Sequence, residues 1–227
     1  MQNFLVMPTD EWGDDAVRLT NAGIATVVVV LIALIAVAVL VRRKQSEEKT
    51  ARLTTKQLVF SAVAMALAFI TSLIKLFALP MGGSVTLISM LFIVLIAYWY
   101  GPYVGIMTGM AYGLLQFVLE PIFYTIPQML VDYPLAFGAL GLAGFFCKKK
   151  YGLQIGYVAG VIGRFVFSFL SGVLFFAAYA PEGMNAALYS ALYNGSYLLA
   201  EAVITLLVIA LPPVSRAMIY LKKMAAE

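Results

Sequence analysis

Histidine is absent from the 227 residues, Cys147 is the only cysteine, and charged residues make up just 11% of the chain. Without histidine there is no Ser-His-Asp or Cys-His nucleophile, most zinc sites lose a ligand, and one cysteine cannot form an internal disulfide. No Gly-Lys dipeptide occurs, so there is no P-loop. If the chain acts by consuming ATP, the ATPase is another polypeptide. Catalysis, a metal and a cofactor are therefore not expected. What the chain does have is apolar: 63% hydrophobic residues and a mean hydropathy of +0.96. Soluble domains hold about 45–50% apolar and about 25% charged residues, so this is the composition of a membrane protein. Seven spans of about 20 residues would use about 140 residues, leaving no room for a separate soluble domain.

The first apolar stretch, Gly23 to Val41, is followed at once by Arg42, Arg43 and Lys44, and preceded by Asp10, Glu11, Asp14 and Asp15 against the single base Arg18. A secretory signal has the opposite polarity, so this reads as a retained anchor with its N-terminus outside. A charged linker, Gln45 to Lys56, divides residues 1–56 from a second unit, 57–227. Six further spans are expected at Leu58 to Ala78, Leu87 to Tyr100, Tyr103 to Leu119, Gln128 to Phe146, Ile155 to Ala178 and Tyr189 to Leu211. On this path 12 of the 15 bases are cytoplasmic, among them Lys148, Lys149, Lys150, Arg216, Lys222 and Lys223, as the positive-inside rule requires. The net charge of +4 thus belongs to membrane boundaries and not to a nucleic-acid surface. Gly101, Gly105, Gly109 and Gly113 recur every fourth residue, a face made for close helix packing. Ala62 and Ala66 form a similar small stripe, for which internal packing and docking of a partner are both open.

Ionisable groups at membrane depth are costly and point to function. Lys75 lies near the outer boundary, where snorkelling accounts for it. Asp132 begins the fifth span after an aromatic, proline-rich loop, Glu120 to Pro127. Arg164 is about ten residues into the sixth span; an Asp132–Arg164 ion pair with no ligand is one reading of the two. On the last span Asn194, Tyr197 and Glu201 share one helical face, with Tyr189 a little over a turn away. Polar glue between helices is the plain alternative. Convergence of polar groups from three spans beside aromatic loops favours a small-molecule pocket.

The run Leu79-Pro80-Met81-Gly82-Gly83-Ser84-Val85-Thr86, then Gln128 to Tyr133, Arg164 with Ser171-Gly172, Ala180-Pro181-Glu182-Gly183, and Tyr189 to Asn194 resembles the thiamine-specific substrate-binding subunit of energy-coupling factor (ECF) transporters. The resemblance covers about Leu53 to Leu211, in order and with the same spacing; the first span lies outside it. It implies a six-helix membrane bundle with a thiamine site near the outer face, here with one extra N-terminal transmembrane helix. It implies that Asp132 stands at an acidic position and that Tyr189 and Asn194 hold the aminopyrimidine. Gly83 stands where some members have tryptophan, Arg164 at a basic position, Gly172 at a glycine, Ser168 where many have histidine and Phe176 where some have tryptophan. Tyr124, Gln128, Tyr133 and Tyr197 are nearby candidates. Thiamine's cationic thiazolium calls for a carboxylate or an aromatic face, and its aminopyrimidine for an amide, a phenol and a carboxylate.

The expectation is an all-α, multi-pass cell-membrane protein, N-terminus outside and C-terminus cytoplasmic, that binds thiamine. By the same resemblance it works with a transmembrane coupling subunit, docked at Ala62 and Ala66, and two ATP-binding subunits. The alternatives are a subunit for another vitamin or a thiamine precursor, and a secondary transporter using Glu201 and Asp132 as a proton relay. Many secondary transporters show internal repeats, and no convincing repeat occurs here.

Overall fold

The computed structural model describes residues 6–8, 17–19, 53–79, 83–122 and 124–226. The anchor expected at Gly23 to Val41 lies outside the described residues. Two short strands near the start, β1 (Val6–Pro8) and β2 (Val17–Leu19), pair antiparallel with Val6 opposite Leu19.

Helix α1 (Thr55–Ser72) begins at a capping box. Thr54 Oγ1 accepts from the Gln57 N–H at 3.2 Å while Gln57 Oε1 accepts from the Thr54 N–H at 3.0 Å. It ends six residues before the expected Ala78. Thr71 Oγ1 donates back to the Leu67 carbonyl at 2.8 Å and Ser72 Oγ to that of Phe69 at 2.7 Å, and the Leu73 and Ile74 N–H groups close onto the Phe69 and Thr71 carbonyls at 3.3 and 3.2 Å. The chain then turns into strand β3 (Lys75–Ala78), which pairs antiparallel with β4 (Ser84–Thr86), Lys75 opposite Thr86. Hydropathy alone could not separate this hairpin from a longer span, because Leu76, Phe77 and Ala78 are as apolar as the helix before them.

Helix α2 (Ser89–Tyr100) has only 12 residues, about 18 Å at 1.5 Å per residue, and eight of them are buried. Its sequence is apolar all round, which suits a helix enclosed by others. It stops at Gly101, whose φ of 91° is a conformation that favours glycine. Pro102 then opens α3 (Pro102–Leu119) at a position where a missing N–H costs nothing.

Helix α4 (Ile126–Phe146) is composite. It is α-helical to Leu130, widens to π geometry over Val131–Leu135, returns to α over Ala136–Gly138 and finishes as a 3₁₀ helix over Ala139–Phe146. Pro134 has no N–H for the ordinary bond to residue 130, so the ladder relaxes into a wider turn there. The glycine face of α3 packs on this helix. A Cβ on Gly105 would meet Ala97 and Gly141, one on Gly109 the Phe137 carbonyl, and one on Gly113 the Tyr133 carbonyl.

Helices α5 (Gly152–Phe175) and α6 (Ala186–Ala210) complete the bundle, and α7 (Pro212–Ala226) follows. Lys222 of α7 donates to the Cys147 carbonyl at 2.9 Å, and Lys56 donates to the Met224 carbonyl at 2.6 Å. α7 therefore spans the ends of α4 and α1, at the end of the bundle that carries the basic cluster.

Five of the helices, α1, α3, α4, α5 and α6, are long and apolar enough to cross a membrane. Their outward faces show Leu58, Val63, Ile70, Ile162, Leu199 and Leu207, each more than half exposed, as lipid contact requires. The core centres on α2, with Met90, Ile93, Val94, Tyr112, Leu140 and Tyr157 fully buried. The chain is an all-α, multi-pass membrane protein.

Candidate ligand-binding site

Because α2 is short, the bundle holds a cavity of about 200 Å³ beyond its first turn, at the end opposite the basic cluster. Polar groups reach it from β4 and from helices α1 to α6, and the largest sets, from α6, α5 and α4, each follow a local regularity.

Helix α6 offers an aromatic ladder spaced by four residues. Tyr189 and Tyr193 have ring centroids 5.9 Å apart, Tyr193 and Tyr197 6.0 Å. Buried between them is Asn194, whose Oδ1 accepts from the Tyr197 hydroxyl at 2.9 Å. Its Nδ2 is occupied within the protein, donating to the Ser190 carbonyl at 3.0 Å and that of Ser168 at 3.2 Å. What Asn194 keeps for a ligand is acceptor capacity on Oδ1, since an amide oxygen has two lone pairs.

Helix α5 lines the cavity with Arg164, Ser168 and Gly172, and its C-cap Phe176 continues the series every fourth residue. Gly172 lets α5 and α6 approach, because a Cβ there would overlap the Ser190 side chain. Arg164 lies over the Phe137 ring, Cζ 4.0 Å from its centroid, a cation–π contact. Its Nε is buried without a hydrogen-bond partner. The Asp132–Arg164 ion pair considered from sequence is not formed: the Lys75–Glu120 pair, at 2.6 Å, is the only salt bridge among the described residues. That pair also replaces the snorkelling expected of Lys75, because the strand it lies in brings it beside the end of α3.

Helix α4 supplies Asp132, Tyr133 and Phe137. Asp132 sits in the π-turn, whose extra width re-aims its side chain relative to a regular helix. Its Oδ2 accepts from Gln128 Nε2 at 2.7 Å. Tyr133 is fixed at the rim, donating to the Glu120 carbonyl and accepting from the Ile122 N–H, both at 2.9 Å.

Of the twelve binding residues expected from sequence, ten line the cavity, and Tyr124 and Gln128 do not. Gln128 is fully buried behind Asp132, with Nε2 also on the Ile122 carbonyl at 3.1 Å and Oε1 accepting from the Tyr124 N–H at 3.1 Å. It orients the carboxylate. Tyr124 stands outside the wall, its ring edge-on to Phe176 at 5.4 Å and its hydroxyl 2.8 Å from that of Tyr179. The bond to Tyr179 pushes the Tyr124 hydroxyl up to about 12. Gly83 is where the β3–β4 turn touches α6: its N–H donates to the Tyr193 hydroxyl at 2.9 Å. A Cβ on Gly83 would lie 2.8 Å from that hydroxyl and 2.9 Å from Tyr197 Cδ1, so the α6 tyrosines fill the space a larger side chain would need.

Sequence reading missed Tyr193, Ser190, Thr86, Ser89, Tyr112, Gln116 and Tyr179 as lining groups. Tyr193 was within reach, lying midway between Tyr189 and Tyr197 at helical spacing. Thr86 and Ser89 had no periodic signal, because they lie at a strand end and a helix start. Ala62 and Ala66 are elsewhere, on the exposed side of α1, whose buried side is Ser61, Ala64 and Ala68. Among the described residues nothing packs on that stripe. No group of three or more metal-binding side chains occurs among the described residues.

Comparison with known proteins places this architecture. Residues 58–221 match the family model described as "Thiamine transporter protein" (Thia_YuaJ). The thiamine transporter ThiT of Bacillus subtilis (strain 168) is 33% identical over 171 residues, covering 68% of this chain and 88% of that protein. ThiT of Lacticaseibacillus paracasei is 30% identical over 118 residues, 44% of this chain and 59% of its own. A solved structure of ThiT from Listeria monocytogenes superposes with a TM-score of 0.55 at 26% identity, covering 68% of this chain and 88% of that one. With most of its length matched by one family model, and with the helical bundle in common, the chain belongs to the thiamine transporter protein family.

Proposed function

We propose that the chain binds thiamine in the cavity between α4, α5 and α6 and is the substrate-binding subunit of an ECF-type importer. The observation that carries this reading is the set of groups on the cavity wall: a carboxylate, Asp132, faces a ladder of tyrosines and the free acceptor of Asn194. Thiamine presents a permanent cation and a flat aminopyrimidine with donors on its edge. The carboxylate and aromatic faces suit the cation; Asn194 Oδ1 and the Tyr189 hydroxyl suit the ring edge. Arg164, held away from Asp132 over Phe137, keeps donors for an oxygen on the ligand's hydroxyethyl arm.

In this reading Asp132, Tyr189, Asn194, Tyr197, Tyr133, Arg164, Ser168, Gly172, Phe176 and Gly83 form the contact surface, with Gln128 and Tyr124 supporting it from behind. Transport is powered by ATP hydrolysis on two partner subunits, consistent with the missing P-loop, through a coupling subunit that meets the exposed Ala62 and Ala66 face of α1. In the same reading the α7 end, where bases cluster, is cytoplasmic, the cavity opens toward the outside, and an N-terminal unit, 1–56, precedes a binding domain of 57–227. The test is calorimetric titration of the purified chain with thiamine, its phosphates and riboflavin. Thiamine is expected to saturate one site per chain and riboflavin to give no binding heat; absence of thiamine binding by folded protein would overturn the assignment.

A further inference from the structure

Glu201 of α6 is 2% exposed and lines the floor of the cavity, yet the binding chemistry above makes no use of it. Its carboxylate is taken up inside the protein. Oε2 accepts from the Thr86 N–H at 3.1 Å and from Thr86 Oγ1 at 2.8 Å; Oε1 accepts from Ser89 Oγ at 3.2 Å and from the Met90 N–H at 3.3 Å. All four donors belong to the end of β4 and the first turn of α2, more than 100 residues away in sequence.

That end of the chain needs an outside partner. The first N–H groups of a helix have no intrahelical acceptor. The residue before α2, Ile88, is in the left-handed region at φ 54° and has no side-chain acceptor to offer. A carboxylate from α6 supplies the acceptors and places negative charge at the positive end of the helix dipole. Lys75, paired with Thr86 across the hairpin, is held from the other side by Glu120, but that ion pair is 34% and 53% exposed and correspondingly weak. The hairpin's turn touches α6 through the Gly83–Tyr193 bond. The base of the hairpin is thus clamped by charge-assisted bonds in a dry site, beside the burial of Val85 in the core, while its ion pair with Glu120 is open to water.

We propose that Glu201 is a positioning residue for ligand binding. Its carboxylate pins the base of the β3–β4 hairpin and the start of α2 to α6, which holds Gly83, Ser84 and Thr86 on one wall in register with Tyr193, Asn194 and Tyr197 on the other. The effect on ligand affinity rests on the thiamine reading; the pinning does not.

Both parts are tested on the full chain in detergent, by hydrogen–deuterium exchange without ligand and by stopped-flow measurement of thiamine dissociation. The variants are Glu201→Gln, Glu201→Asp and Thr86→Val. Gln keeps the shape of Glu but turns an amide donor toward the Thr86 or Met90 donors. The expected result for Glu201→Gln is exchange at least tenfold faster over residues 84–91, with α3 to α5 unchanged, and thiamine leaving at least tenfold faster. Thr86→Val, which removes a single hydroxyl, gives the same local pattern more weakly, and Glu201→Asp falls between Gln and wild type. Should Glu201→Gln fail to fold, Thr86→Val carries the test. Wild-type exchange over 84–91 in a folded Gln variant overturns the pinning. A uniform rise across all helices in Thr86→Val as well makes the contact a general stability element and overturns the positioning role, as does raised local exchange with unchanged thiamine dissociation. If wild-type protein binds no thiamine, the functional reading fails on its own, and the exchange pattern still decides whether Glu201 pins the hairpin.

Discussion

Asp132 is a carboxylate that the fold presents with one of its oxygens held by Gln128 and with no cation within ion-pair distance. In the proposed complex it meets the charged ligand. Truncating one partner of a desolvated, charge-assisted contact costs about 2–5 kcal/mol, which is about 30-fold or more in dissociation constant at about 1.4 kcal/mol per tenfold. Asp132→Asn is expected to weaken thiamine by at least that factor in calorimetry while leaving the fold intact. A folded variant that binds like wild type would make Asp132 a structural group only. Asn194→Ala removes the amide that joins α5 to α6 as well as an acceptor, so it is expected to weaken thiamine and pyrithiamine alike, since the two share the aminopyrimidine. Parallel titrations of both ligands check this; a loss confined to thiamine would place the thiazolium against Asn194 instead.

At the scale of elements, the glycine face of α3 fixes how closely that helix lies on α4. A Cβ on Gly109 would fall onto the Phe137 carbonyl and 3.0 Å from Gly138 Cα, both backbone atoms that cannot swing aside. Gly109→Leu is expected to force the helices apart, an overpacking cost of about 1–3 kcal/mol or more, seen as a lower thermal unfolding midpoint with and without ligand. An unchanged midpoint would mean that α3 and α4 shift freely, contrary to the packing described. Helix α1 shows the converse: Ala62 and Ala66 face outward, so bulk added there touches nothing inside the bundle. Replacing both with leucine is expected to leave thiamine binding within about twofold and to abolish uptake in cells that also express the coupling and ATPase subunits, because only close approach of a partner helix is lost. Uptake at the wild-type rate would move the coupling surface elsewhere.

Across the described molecule, Lys148, Lys149, Lys150, Lys222 and Lys223 sit at one end of the bundle and the cavity at the other, with Lys75 and Arg164 on the cavity side. Cysteines placed at Asp10 and Glu47 test the orientation this implies: the first is expected to react with an impermeant thiol reagent on intact cells and the second only after lysis, and the reverse pattern would invert the topology. The sequence by itself determined the class of the protein, because hydropathy is a sum over neighbouring residues and needs no partner. It also placed the bundle helices to within several residues, and the shared face of α6, because helical spacing projects Asn194, Tyr197 and Glu201 onto one side whatever that side meets; Ser168, Gly172 and Phe176 came only from the family resemblance. Tertiary structure decided what such faces meet. Periodicity showed that Ala62 and Ala66 lie together, but only the packing of Ser61, Ala64 and Ala68 turned them outward. Charge left an Asp132–Arg164 pair open as one reading; the π-turn at Pro134 and the Phe137 ring set them on separate partners. The hairpin after α1 was hidden because Leu76, Phe77 and Ala78 continue the apolar run of the helix before it, and the carboxylate of Glu201 at the start of α2 has no local signature, since it depends on contacts between segments more than 100 residues apart.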